Sequence, residues 1–481
     1  MTKVPTAVFR KYDIRGVAVG DDAQITPELA NLVGKALGTY LPQQFSTEKV
    51  FVGSDNRHSS PALKEAMMKG LSSTGMAVVD IGEVLTPTVY YAAASYDEDG
   101  KGAGVMVTGS HLTTEYNGIK MAYGNLALSG QQIQDLLKII EEDVFSKGEG
   151  SVSEDKDMID KHMDTLSGKV TFHKPMKVIL DAGNGLSGAY VPGLLRKLGA
   201  EVECLYCEPD GTYPNHLPNP EDPEMTRDLE KRLQESDADL GLAFDGDSDR
   251  CGFLDENGHH IAADRLLALL ARDLLQRMPG SKIVFDAKAS QALPEEIRKH
   301  GGEPFMWKSG HSLMKAKMNE LGSPLGGEVS GHLFIGEEYY GFDDAPLVAL
   351  KAIEIFSKTD QTVSEIFEEI PNLVATPEIV LSTPDNLKFG IIDDITKELD
   401  SQYEVITVDG ARVQFENGWG MVRASNTQPA ITLRFEAYEP EQVGEYMNVF
   451  KQFLDRYDEI DTDKFEKQRA RFVDDEAQPA S

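Results

Sequence analysis

The sequence contains the stretch KVILDAGNGLSGAYVPGLLRKLGAEVECL (Lys177–Leu205), which has the pattern of one strand–loop–helix–strand unit. The apolar run Lys177–Leu180 predicts a strand, Gly188–Leu198 has helical spacing, and Glu201–Leu205 returns to the spacing of a strand. Strand and helix patterns that alternate in this way are typical of α/β units with a mostly parallel sheet. The stretch therefore predicts an α/β fold.

Two further copies of this unit indicate three related domains. The predicted strands and helices of these copies are Val50–Ser54, Ser60–Leu71 and Met76–Ile81 in the first, and Lys282–Phe285, Ser290–His300 and Pro304–Trp307 in the second. Beyond Pro371 the pattern changes to alternating strands, followed by a helix at Glu441–Tyr457. We therefore predict three related α/β domains with mixed, mostly parallel sheets, and a C-terminal α+β domain, around a central cleft.

The 481 residues exceed what one core can fill, so we divide the chain where its composition shifts. The expected segments are α/β domain 1 (1–152), α/β domain 2 (153–257), α/β domain 3 (258–371), the C-terminal domain (372–460) and a charged tail (461–481). The tail lacks a periodic apolar face, so we expect it to be frayed.

Composition narrows the possible partners and the compartment. A formal net charge of −33 argues against nucleic acid and anionic membranes as partners, and it means that an anionic ligand needs a local group of Arg and Lys. Three cysteines are too few for a disulfide framework, and the N-terminus has no apolar signal segment, so we expect a cytoplasmic protein. Cys204 and Cys207 form a C-x-x-C within a strand-like run, which does not favour a redox or metal role.

Three aspartates follow the predicted strand Leu240–Phe244. Asp245, Asp247 and Asp249 alternate in an apparently extended loop, so their carboxylates can converge on one hard cation. An EF-hand does not fit, because Arg250 stands where that loop needs glycine and the flanks have strand patterns. Three carboxylates leave a cation with open positions, as a phosphate-handling Mg²⁺ site requires. The alternative is a solvated acidic turn.

Ser110 follows the predicted strand Gly104–Val107 and precedes His111. A Ser-His-Asp hydrolase is not indicated, because neighbours in an extended chain point in opposite directions and the sequence has no G-x-S-x-G elbow. A hydroxyl that carries a phosphoryl group fits the aspartates better, since a phosphoserine dianion can complete a Mg²⁺ shell. Alone, such a serine is more often a turn residue.

Two more polar loops have the composition of ligand-binding sites. Arg423-Ala-Ser425-Asn426-Thr427 combines a guanidinium, two hydroxyls and an amide, which suits a phosphate. Glu328, Ser330 and His332 are spaced two residues apart, so in an extended segment their side chains would face the same way. Glu328 and Ser330 could then bind sugar hydroxyls, and His332 could supply a proton. Taken alone, the second loop fits a glycine-rich connection with surface polar residues equally well.

The four loops follow one another along the chain in the order Ser110, Asp245, Glu328 and Arg423. With the loops in this order, the sequence resembles the α-D-phosphohexomutase family, in particular its bacterial phosphomannomutase/phosphoglucomutase branch. The resemblance runs from Phe9-Arg-Lys-Tyr-Asp-Ile-Arg-Gly16 to Leu433-Arg-Phe-Glu-Ala437. It implies a phosphoserine at Ser110, with His111 beside it and Mg²⁺ held by Ser110 and the three aspartates. It further implies that the cleft is lined by Tyr12, Arg15, Lys120, Arg250, Lys288 and His311. Glu328 and Ser330 would hold the O3 and O4 of the sugar, and Arg423, Ser425, Asn426 and Thr427 would hold the phosphate that is not reacting.

The activity implied is the reversible conversion of hexose 1-phosphate and hexose 6-phosphate, with mannose, glucose or both as the sugar. Phospho-Ser110 would give its group to the substrate, with Lys120 or His332 as base and acid, and take back the other phosphate from a 1,6-bisphosphate. We expect a monomer that acts on small sugar phosphates. The alternatives are a phosphoglucosamine mutase, a phosphoserine-dependent sugar phosphatase and an inactive sugar-phosphate sensor.

Three positions depart from the family pattern. Leu112-Thr113-Thr114 stands where the family usually has Asn-Pro, Ser248 replaces a frequent Gly, and Val329 replaces a frequent Met or Gln. No catalytic group is removed. These changes put in question the rigidity of the loop around Ser110 and the fine sugar preference. The segment Tyr339–Asp344 again resembles the phosphomannomutase branch.

Overall fold

A computed structural model describes residues 4–96, 101–425 and 428–473. Within these ranges the chain forms four sheets, each with its own helices. The first three sheets are mixed and the fourth is antiparallel. The α/β class and the change of architecture in the C-terminal domain are confirmed.

The first sheet follows a short 3₁₀ helix at Thr6–Val8. Its strands are β1 (Ile14–Val17), β2 (Lys49–Ser54), β3 (Ala77–Glu83), β4 (Ala103–Val107), β5 (Tyr116–Tyr123), β6 (Leu126–Ala127) and β7 (Ser151–Glu154). Its helices are α1 (Pro27–Phe45), α2 (Ser60–Ser72), α3 (Thr86–Ala94) and α4 (Gln131–Glu141). The strand order is β1-β5-β4-β2-β3-β7, with β6 beside β5. β7 continues past the boundary expected at residue 152, because it pairs in parallel with β3.

The second sheet has the strand order β12-β11-β10-β8-β9. Its strands are β8 (Lys177–Asp181), β9 (Glu201–Leu205), β10 (Leu240–Phe244), β11 (Cys251–Asp255) and β12 (His260–Ile261). Its helices are α5 (Met158–Ser167), α6 (Ser187–Lys197) and α7 (Arg227–Gln234). β12 lies past the boundary expected at residue 257, because it pairs with β11.

The third sheet has the order β14-β13-β15-β16. Its strands are β13 (Lys282–Asp286), β14 (Glu303–Trp307), β15 (Leu325–Gly327) and β16 (Leu333–Ile335). Its helices are α8 (Ala263–Arg277), α9 (Ala292–Lys299), α10 (His311–Leu321), α11 (Ala345–Ser357) and α12 (Val363–Glu368).

The fourth sheet has the order β17-β22-β21-β20-β19, with β18 beside β22. Its strands are β17 (Val374–Ala375), β18 (Ile379–Ser382), β19 (Glu404–Ile406), β20 (Ala411–Phe415), β21 (Gly418–Ala424) and β22 (Ala430–Ala437). Its helices are α13 (Lys388–Asp400), α14 (Pro440–Leu454) and α15 (Asp463–Val473).

One strand arrangement recurs in the three mixed sheets. A central strand (β2, β8 or β13) lies between two parallel neighbours, and one neighbour (β4, β10 or β15) pairs on its other side with an antiparallel strand (β5, β11 or β16). The connection into that antiparallel strand contains Ser110 in the first sheet, the three aspartates in the second and Glu328 in the third. The three candidate loops therefore occupy equivalent positions.

The C-terminal domain has a core of its own and contacts domain 3 at several points. Trp419 and Met421 pack against Ala287, while the buried Arg412 donates hydrogen bonds to the carbonyls of Ala287 (2.6 Å) and Ala289 (2.8 Å). Arg412 also lies over the Trp419 ring, 3.8 Å from its centroid. This contact fixes the position of β21, the strand that contains Arg423 near its end.

The expectation of a frayed tail is wrong for residues 463–473. These residues form α15, and the side chain of Phe465 is buried in the core of the C-terminal domain. Gly444 lets α15 approach α14 closely, since a Cβ at Gly444 would lie 2.7 Å from the Phe472 carbonyl. Polar contacts add to this packing, since Lys451 pairs with Glu466 at 2.5 Å and Arg469 donates to Asn448 Oδ1 at 2.9 Å. Among the described helices, none is both long and apolar enough to span a bilayer.

Candidate active site

Ser110 lies in the loop Thr108–Thr114 (the Ser110 loop), between β4 and β5. Its backbone has a left-handed conformation (φ 51°), and its N–H donates to Thr108 Oγ1 at 2.8 Å. The Ser110 hydroxyl donates to Asp245 Oδ2 at 3.0 Å and lies 3.1 Å from His111 Nδ1. This geometry brings the candidate nucleophile and the aspartates together across two domains.

Arg57, in the loop after β2, stabilises the Ser110 loop through hydrogen bonds to its backbone. Its buried guanidinium donates to four backbone carbonyls, those of Ser110, Leu112, Thr113 and Tyr116. Asp55 pairs with Arg57 Nε at 3.2 Å and accepts a hydrogen bond from the Gly109 N–H at 3.0 Å. Residue 109 must be glycine, because a Cβ there would lie 2.5 Å from the guanidinium. The guanidinium therefore holds the loop segment in which the usual Asn-Pro is absent.

The residues Asp245–Arg250 (the Asp loop) form a tight turn, and the expectation of an extended loop is wrong. The Ser248 N–H donates to the Asp245 carbonyl at 3.1 Å, and Ser248 has a left-handed φ of 61°. The turn still brings one oxygen of each aspartate within 4.8 Å of the others. Convergence therefore results from the turn and not from alternation along an extended strand.

The Asp loop is suited to a cation. All three carboxylates are at most 1% exposed, and Asp247 Oδ1 and Asp249 Oδ1 form no hydrogen bond with any described residue. Orphaned buried carboxylate oxygens are costly unless a cation takes them, and a hard divalent ion prefers oxygen ligands. The arrangement can therefore hold a metal ion, with Ser110 Oγ next to it.

Lys120, Thr86 and Arg250 hold the remaining carboxylate oxygens of the Asp loop. Lys120 Nζ lies 2.7 Å from Asp247 Oδ2 and 2.5 Å from Asp249 Oδ2, and Thr86 donates to Asp247 Oδ2 at 2.6 Å. Burial acts to lower the pKa of Lys120, but the adjacent carboxylates outweigh it and hold that pKa well above its usual value. Burial and the neighbouring carboxylates raise the pKa of Asp245.

Arg250 connects the Asp loop to His111. Its Nε lies 3.2 Å from Asp245 Oδ2, its Nη1 pairs with Glu221 at 2.5 Å, and its Nη2 contacts His111 Nδ1. Burial together with the positive charges of Arg250 and Arg15 lowers the pKa of His111 to about 2, so the ring is neutral. Arg15 pairs with Asp13 at 2.6 Å.

Glu328 and His332 enclose a turn, so the expectation that 328, 330 and 332 face one way in an extended segment is wrong. The Gly331 N–H donates to the Glu328 carbonyl at 3.1 Å, and Gly331 has φ 88°. Glu328 Oε1 accepts from the Gly310 N–H at 2.6 Å. Burial raises the pKa of Glu328 to about 7, against the opposing charge of His332 and with a smaller contribution from Asp286.

Ser330 lines a cavity between domain 2, domain 3 and the C-terminal domain. The cavity has a volume of about 430 Å³ and is also lined by Lys288, Glu378 and Arg434. Lys288 Nζ lies 3.4 Å from Glu378 Oε2. Burial acts to lower the pKa of Lys288, and the Glu378 carboxylate raises it above the usual value, so the lysine is charged.

The carboxylate of Asp343 lies next to two of the predicted site residues, His311 and His332. Asp343 Oδ2 lies 3.2 Å from His332 Nδ1 and 3.5 Å from His311 Nδ1, while its Oδ1 accepts from Lys315 at 2.7 Å. The imidazoles of His311 and His332 are stacked, with centroids 5.4 Å apart. Burial lowers the pKa of His311 to about 4, whereas the carboxylates of Asp249 and Asp343 overcome burial and raise the pKa of His332.

Arg423 and Ser425 lie at the end of β21, in the C-terminal domain. Arg423 Nε lies 3.0 Å from Asp409 Oδ2, an oxygen that also accepts from the Ser309 N–H at 3.2 Å. Tyr12 donates to the Ser309 carbonyl at 3.0 Å, so this corner joins domains 1, 3 and 4. Asn426 and Thr427 lie outside the described residues.

Comparison with known proteins identifies the family. Family models for the α/β/α domains I, II and III of phosphoglucomutase/phosphomannomutase match residues 6–147, 160–258 and 262–374, and the C-terminal domain model matches residues 382–452. The phosphomannomutase/phosphoglucomutase of Pseudomonas putida is 44% identical over 449 residues, which cover 93% of this chain and 95% of that protein. The chain belongs to the phosphoglucomutase/phosphomannomutase family.

Further relatives agree with this membership. The phosphoglucomutase of Neisseria meningitidis is 40% identical over 95% of this chain and 98% of that protein. The solved structure of a phosphoglucomutase/phosphomannomutase family protein from Burkholderia thailandensis has a TM-score of 0.88 at 37% identity, covering 94% of this chain and 98% of that one. The chain is an isomerase that interconverts hexose phosphates, and the phosphoglucosamine mutase alternative fits less well.

Sequence reasoning missed several residues that hold the candidate active site together: Asp55, Arg57, Thr86, Glu221, Lys315, Asp343 and Asp409. Asp55 and Arg57 stand in a polar loop at the end of β2, which is the same signal that drew attention to the other loops. Lys315 lies within α10 and has no local motif. Cys204 and Cys207 are free cysteines, and burial raises the pKa of the Cys207 thiol, which disfavours a reactive thiolate.

Proposed function

We propose that the chain interconverts the 1- and 6-phosphates of mannose and glucose by two phosphoryl transfers through Ser110. The observation that carries the proposal is the 3.0 Å hydrogen bond from Ser110 Oγ to Asp245, inside a cluster with two orphaned carboxylate oxygens. A phosphorylated serine here would lie beside three carboxylates, and it needs a cation between them. Mg²⁺ bound by Ser110, Asp245, Asp247 and Asp249 would offset the charge that develops on the transferred group and on the serine oxygen.

In the first transfer the free sugar hydroxyl bonds to the phosphorus of phospho-Ser110 as the P–O bond to the serine breaks. The hydroxyl proton passes to His332 as the base, because the Lys120 ammonium, whose pKa lies well above its usual value, has no lone pair to accept it. Lys120 acts as the acid and gives a proton to the released serine oxygen, and the two groups exchange these roles in the reverse step. Arg250 and Arg15 supply positive charge on the other side of the serine, next to the neutral His111 ring. Together with Lys120 and Lys288, they are the local cations that a chain with a net charge of −33 needs for an anionic substrate.

The second transfer requires the 1,6-bisphosphate to turn end over end without leaving the cleft, so that its two phosphates exchange places. Arg423 and Ser425, with Asn426 and Thr427, serve as the anchor for whichever phosphate is not reacting. Glu328 and Ser330 bind O3 and O4, with Tyr12, Lys288 and His311 around them. Because these contacts do not involve C2, glucose and mannose are both accepted. The bisphosphate also serves as activator, since it rephosphorylates Ser110.

The test is the conversion of mannose 1-phosphate and glucose 1-phosphate with Mg²⁺ and a trace of glucose 1,6-bisphosphate. We expect hexose 6-phosphate as the product, and a turnover at least about a thousandfold lower for Ser110→Ala. Intact-mass analysis of the active protein should show a phosphate adduct that Ser110→Ala lacks. A matched control is Ser401→Ala, which removes a hydroxyl from an exposed position of the C-terminal domain and should leave the turnover unchanged.

Two results would refute the proposal. Accumulation of free phosphate without hexose 6-phosphate would identify a phosphatase that shares the phosphoserine chemistry. Binding of sugar phosphate with neither turnover nor an adduct would identify a sensor. A cytoplasmic location and a monomeric state stay predictions, to be checked by fractionation and by sedimentation.

A further inference from the structure

A long connection in domain 2 packs against the Asp loop. Residues 206–226 (the crossing loop), all of them within the described chain, connect β9 to α7 without forming a helix or a strand. A connection of this length is uncommon in a compact domain and is usually functional. A Cβ at Gly246 would lie 3.2 Å from Pro218 Cγ and 3.3 Å from the Tyr213 hydroxyl, so the crossing loop touches the Asp loop directly.

The crossing loop also reaches the candidate active site through Glu221. The Glu221 carboxylate pairs with Arg250 Nη1 at 2.5 Å, and Nη2 of the same guanidinium contacts His111. A carboxylate that binds one side of a planar guanidinium fixes the direction in which the other donors point. The placement of the crossing loop therefore affects how Arg250 presents its charge next to Ser110.

His216 ties the crossing loop to the end of β8. Its Nε2 lies 3.1 Å and 3.2 Å from the two oxygens of the buried Asp181, and its Nδ1 lies 2.9 Å from the Leu217 carbonyl. A carboxylate and a carbonyl are both acceptors, so both ring nitrogens have to donate, which only the imidazolium can do. The ring is also tightly packed, because a Cβ at Gly183 would lie 3.1 Å from His216 Cε1.

The charged groups around this imidazole favour its protonated form. Burial acts to lower the pKa of His216, but the Asp181 carboxylate outweighs it and raises that pKa above its usual value, with a smaller contribution from Asp228. The neighbouring Tyr206 ring is neutral, because the hydrogen bond to Asp228 raises the pKa of its hydroxyl to about 12. A raised pKa means that the ion pair stabilises the fold fully below the usual pKa, and that this contribution is lost as the pH rises through the raised value.

We propose that His216 is a positioning residue for phosphoryl transfer, which holds the crossing loop so that Glu221 directs Arg250 toward the phosphate on Ser110. The hydrogen bonds of His216 within the described chain go to Asp181 and Leu217, so its effect on the transfer passes through the loop. This inference rests on the proposed function, because the direction of Arg250 matters to the transfer only if Ser110 carries the phosphoryl group.

The first experiment compares kcat for glucose 1-phosphate in the wild type and in His216→Gln, from about pH 6 to about pH 9.5. Glutamine keeps a donor toward Asp181 but never carries a charge. The variant should be about tenfold slower at the acidic end, since a small displacement of a group that contacts the reacting phosphate lowers turnover. The difference should disappear as the wild-type imidazolium loses its proton. The ratio of the two rates cancels the titration of every group that both proteins share.

His259→Gln is the matched control. His259 belongs to the same domain and also lies beside an aspartate, Asp255, but its side chain is 78% exposed. This variant should have the wild-type kcat at every pH. A ratio between wild type and His216→Gln that did not change with pH would overturn the proposal, because the effect would then not follow the charge of the imidazole.

A double variant tests the route through Glu221. If His216 acts by placing Glu221, His216→Gln should lower kcat by less than about twofold once Glu221→Gln has already released Arg250. Independent effects would multiply, so a full tenfold loss in the Glu221→Gln background would overturn the proposal. Asp181→Asn breaks the same ion pair from the other side. It replaces His216→Gln if circular dichroism shows that the latter does not fold.

Two measurements do not require turnover. In the wild type, imidazole NMR should show His216 titrating above its usual pKa, and Asp181→Asn should return it toward that value. In His216→Gln, amide hydrogen exchange should be about tenfold faster in residues 213–222 and 245–250 and unchanged in β8 and β10. An unshifted titration would overturn the proposal, and so would equal acceleration in β8 and β10, which would mean a general loss of stability. A wild type that gives both expected results but converts no hexose phosphate would instead refute the proposed function.

Discussion

The two regions that we propose to handle phosphate are built in different ways. The Ser110 centre is a network of buried side chains from domains 1 and 2, in which Ser110, Lys120 and Arg250 reach the aspartates within 3.2 Å. The Arg423 corner, formed by Arg423, Ser425 and Asp409, belongs to a domain with a separate core. This domain contacts domain 3 through polar side chains such as Arg412, Asp409 and Glu378.

The difference matches two separate requirements of the proposed reaction, fixed charges at the transfer centre and exchange of phosphates at the anchor. The transfer centre must keep charged groups at fixed positions, because electrostatic stabilisation depends on preorganised charges. In the proposed reaction the anchor must release one phosphate and bind the other as the bisphosphate turns, and a domain with a separate core can move as a unit while this happens. Variants at the two regions should therefore affect turnover and substrate affinity differently.

Among the variants that compare the two regions, the largest effect is expected for Asp245→Asn. Asp245 Oδ2 accepts hydrogen bonds from Ser110 and Arg250, and the variant removes its charge from the metal cage. We expect kcat with glucose 1-phosphate to fall by about 10²–10³. Asp237→Asn is the control, because it makes the same change at an exposed aspartate of domain 2. A variant that kept more than a tenth of wild-type kcat would show that Asp245 is not part of the transfer centre.

A smaller effect with a different signature is expected for Arg423→Ala. The guanidinium would make charge-assisted hydrogen bonds to the anchored phosphate, each worth about 1.5–3 kcal/mol, so kcat/KM should fall roughly 10–100-fold, mostly through KM. Arg456→Ala removes an exposed arginine of the same domain and serves as the control. If kcat fell as far as in Asp245→Asn with KM unchanged, the contrast between anchor and transfer centre would be refuted.

The sequence predicted the strand-end loops because a repeated pattern placed them at equivalent points of three similar sheets. It did not predict their shapes. Ser248 and Gly331 have positive φ angles, and these angles turn two segments for which the sequence pattern predicts an extended backbone. Sequence parity applies only to strands, so it could not show that Glu328 and His332 enclose a turn.

Residues that act through distant contacts were beyond the reach of local patterns. Lys315 lies on α10 with no motif around it, and only the packing of α10 against domain 1 and the Asp343 turn reveals its role. The order in α15 was missed for a related reason, since it depends on one buried phenylalanine and on the absence of a side chain at Gly444. Long-range packing of single residues leaves no periodic signal in the sequence.

A pH dependence tests the sugar contact, which lies between the two phosphate regions. Burial raises the pKa of Glu328 to about 7, and only the ionised carboxylate can accept from two sugar hydroxyls. Protonation below this pKa should lower sugar binding, so kcat/KM should fall about tenfold from pH 8 to pH 6. The phosphate of the substrate also titrates near pH 6, and Glu328→Gln keeps that contribution while losing the one from the carboxylate. Equal pH profiles for the two proteins would contradict the assignment.

The smallest effect on turnover is expected for Phe465→Ala, which separates the stability of the anchor domain from its chemistry. Phe465 is 1% exposed in the core of the C-terminal domain, and α15 carries none of the proposed site residues. Truncation should destabilise this domain by about 3–5 kcal/mol, seen as faster hydrogen exchange in β21 and β22, while kcat at 25 °C stays within about twofold. Lys467→Ala, on the exposed face of α15, should change neither quantity. A tenfold loss of kcat in Phe465→Ala with normal exchange would mean that α15 acts on the anchored phosphate directly. The C-terminal domain would then act on the substrate through α15 as well as through the residues around Arg423.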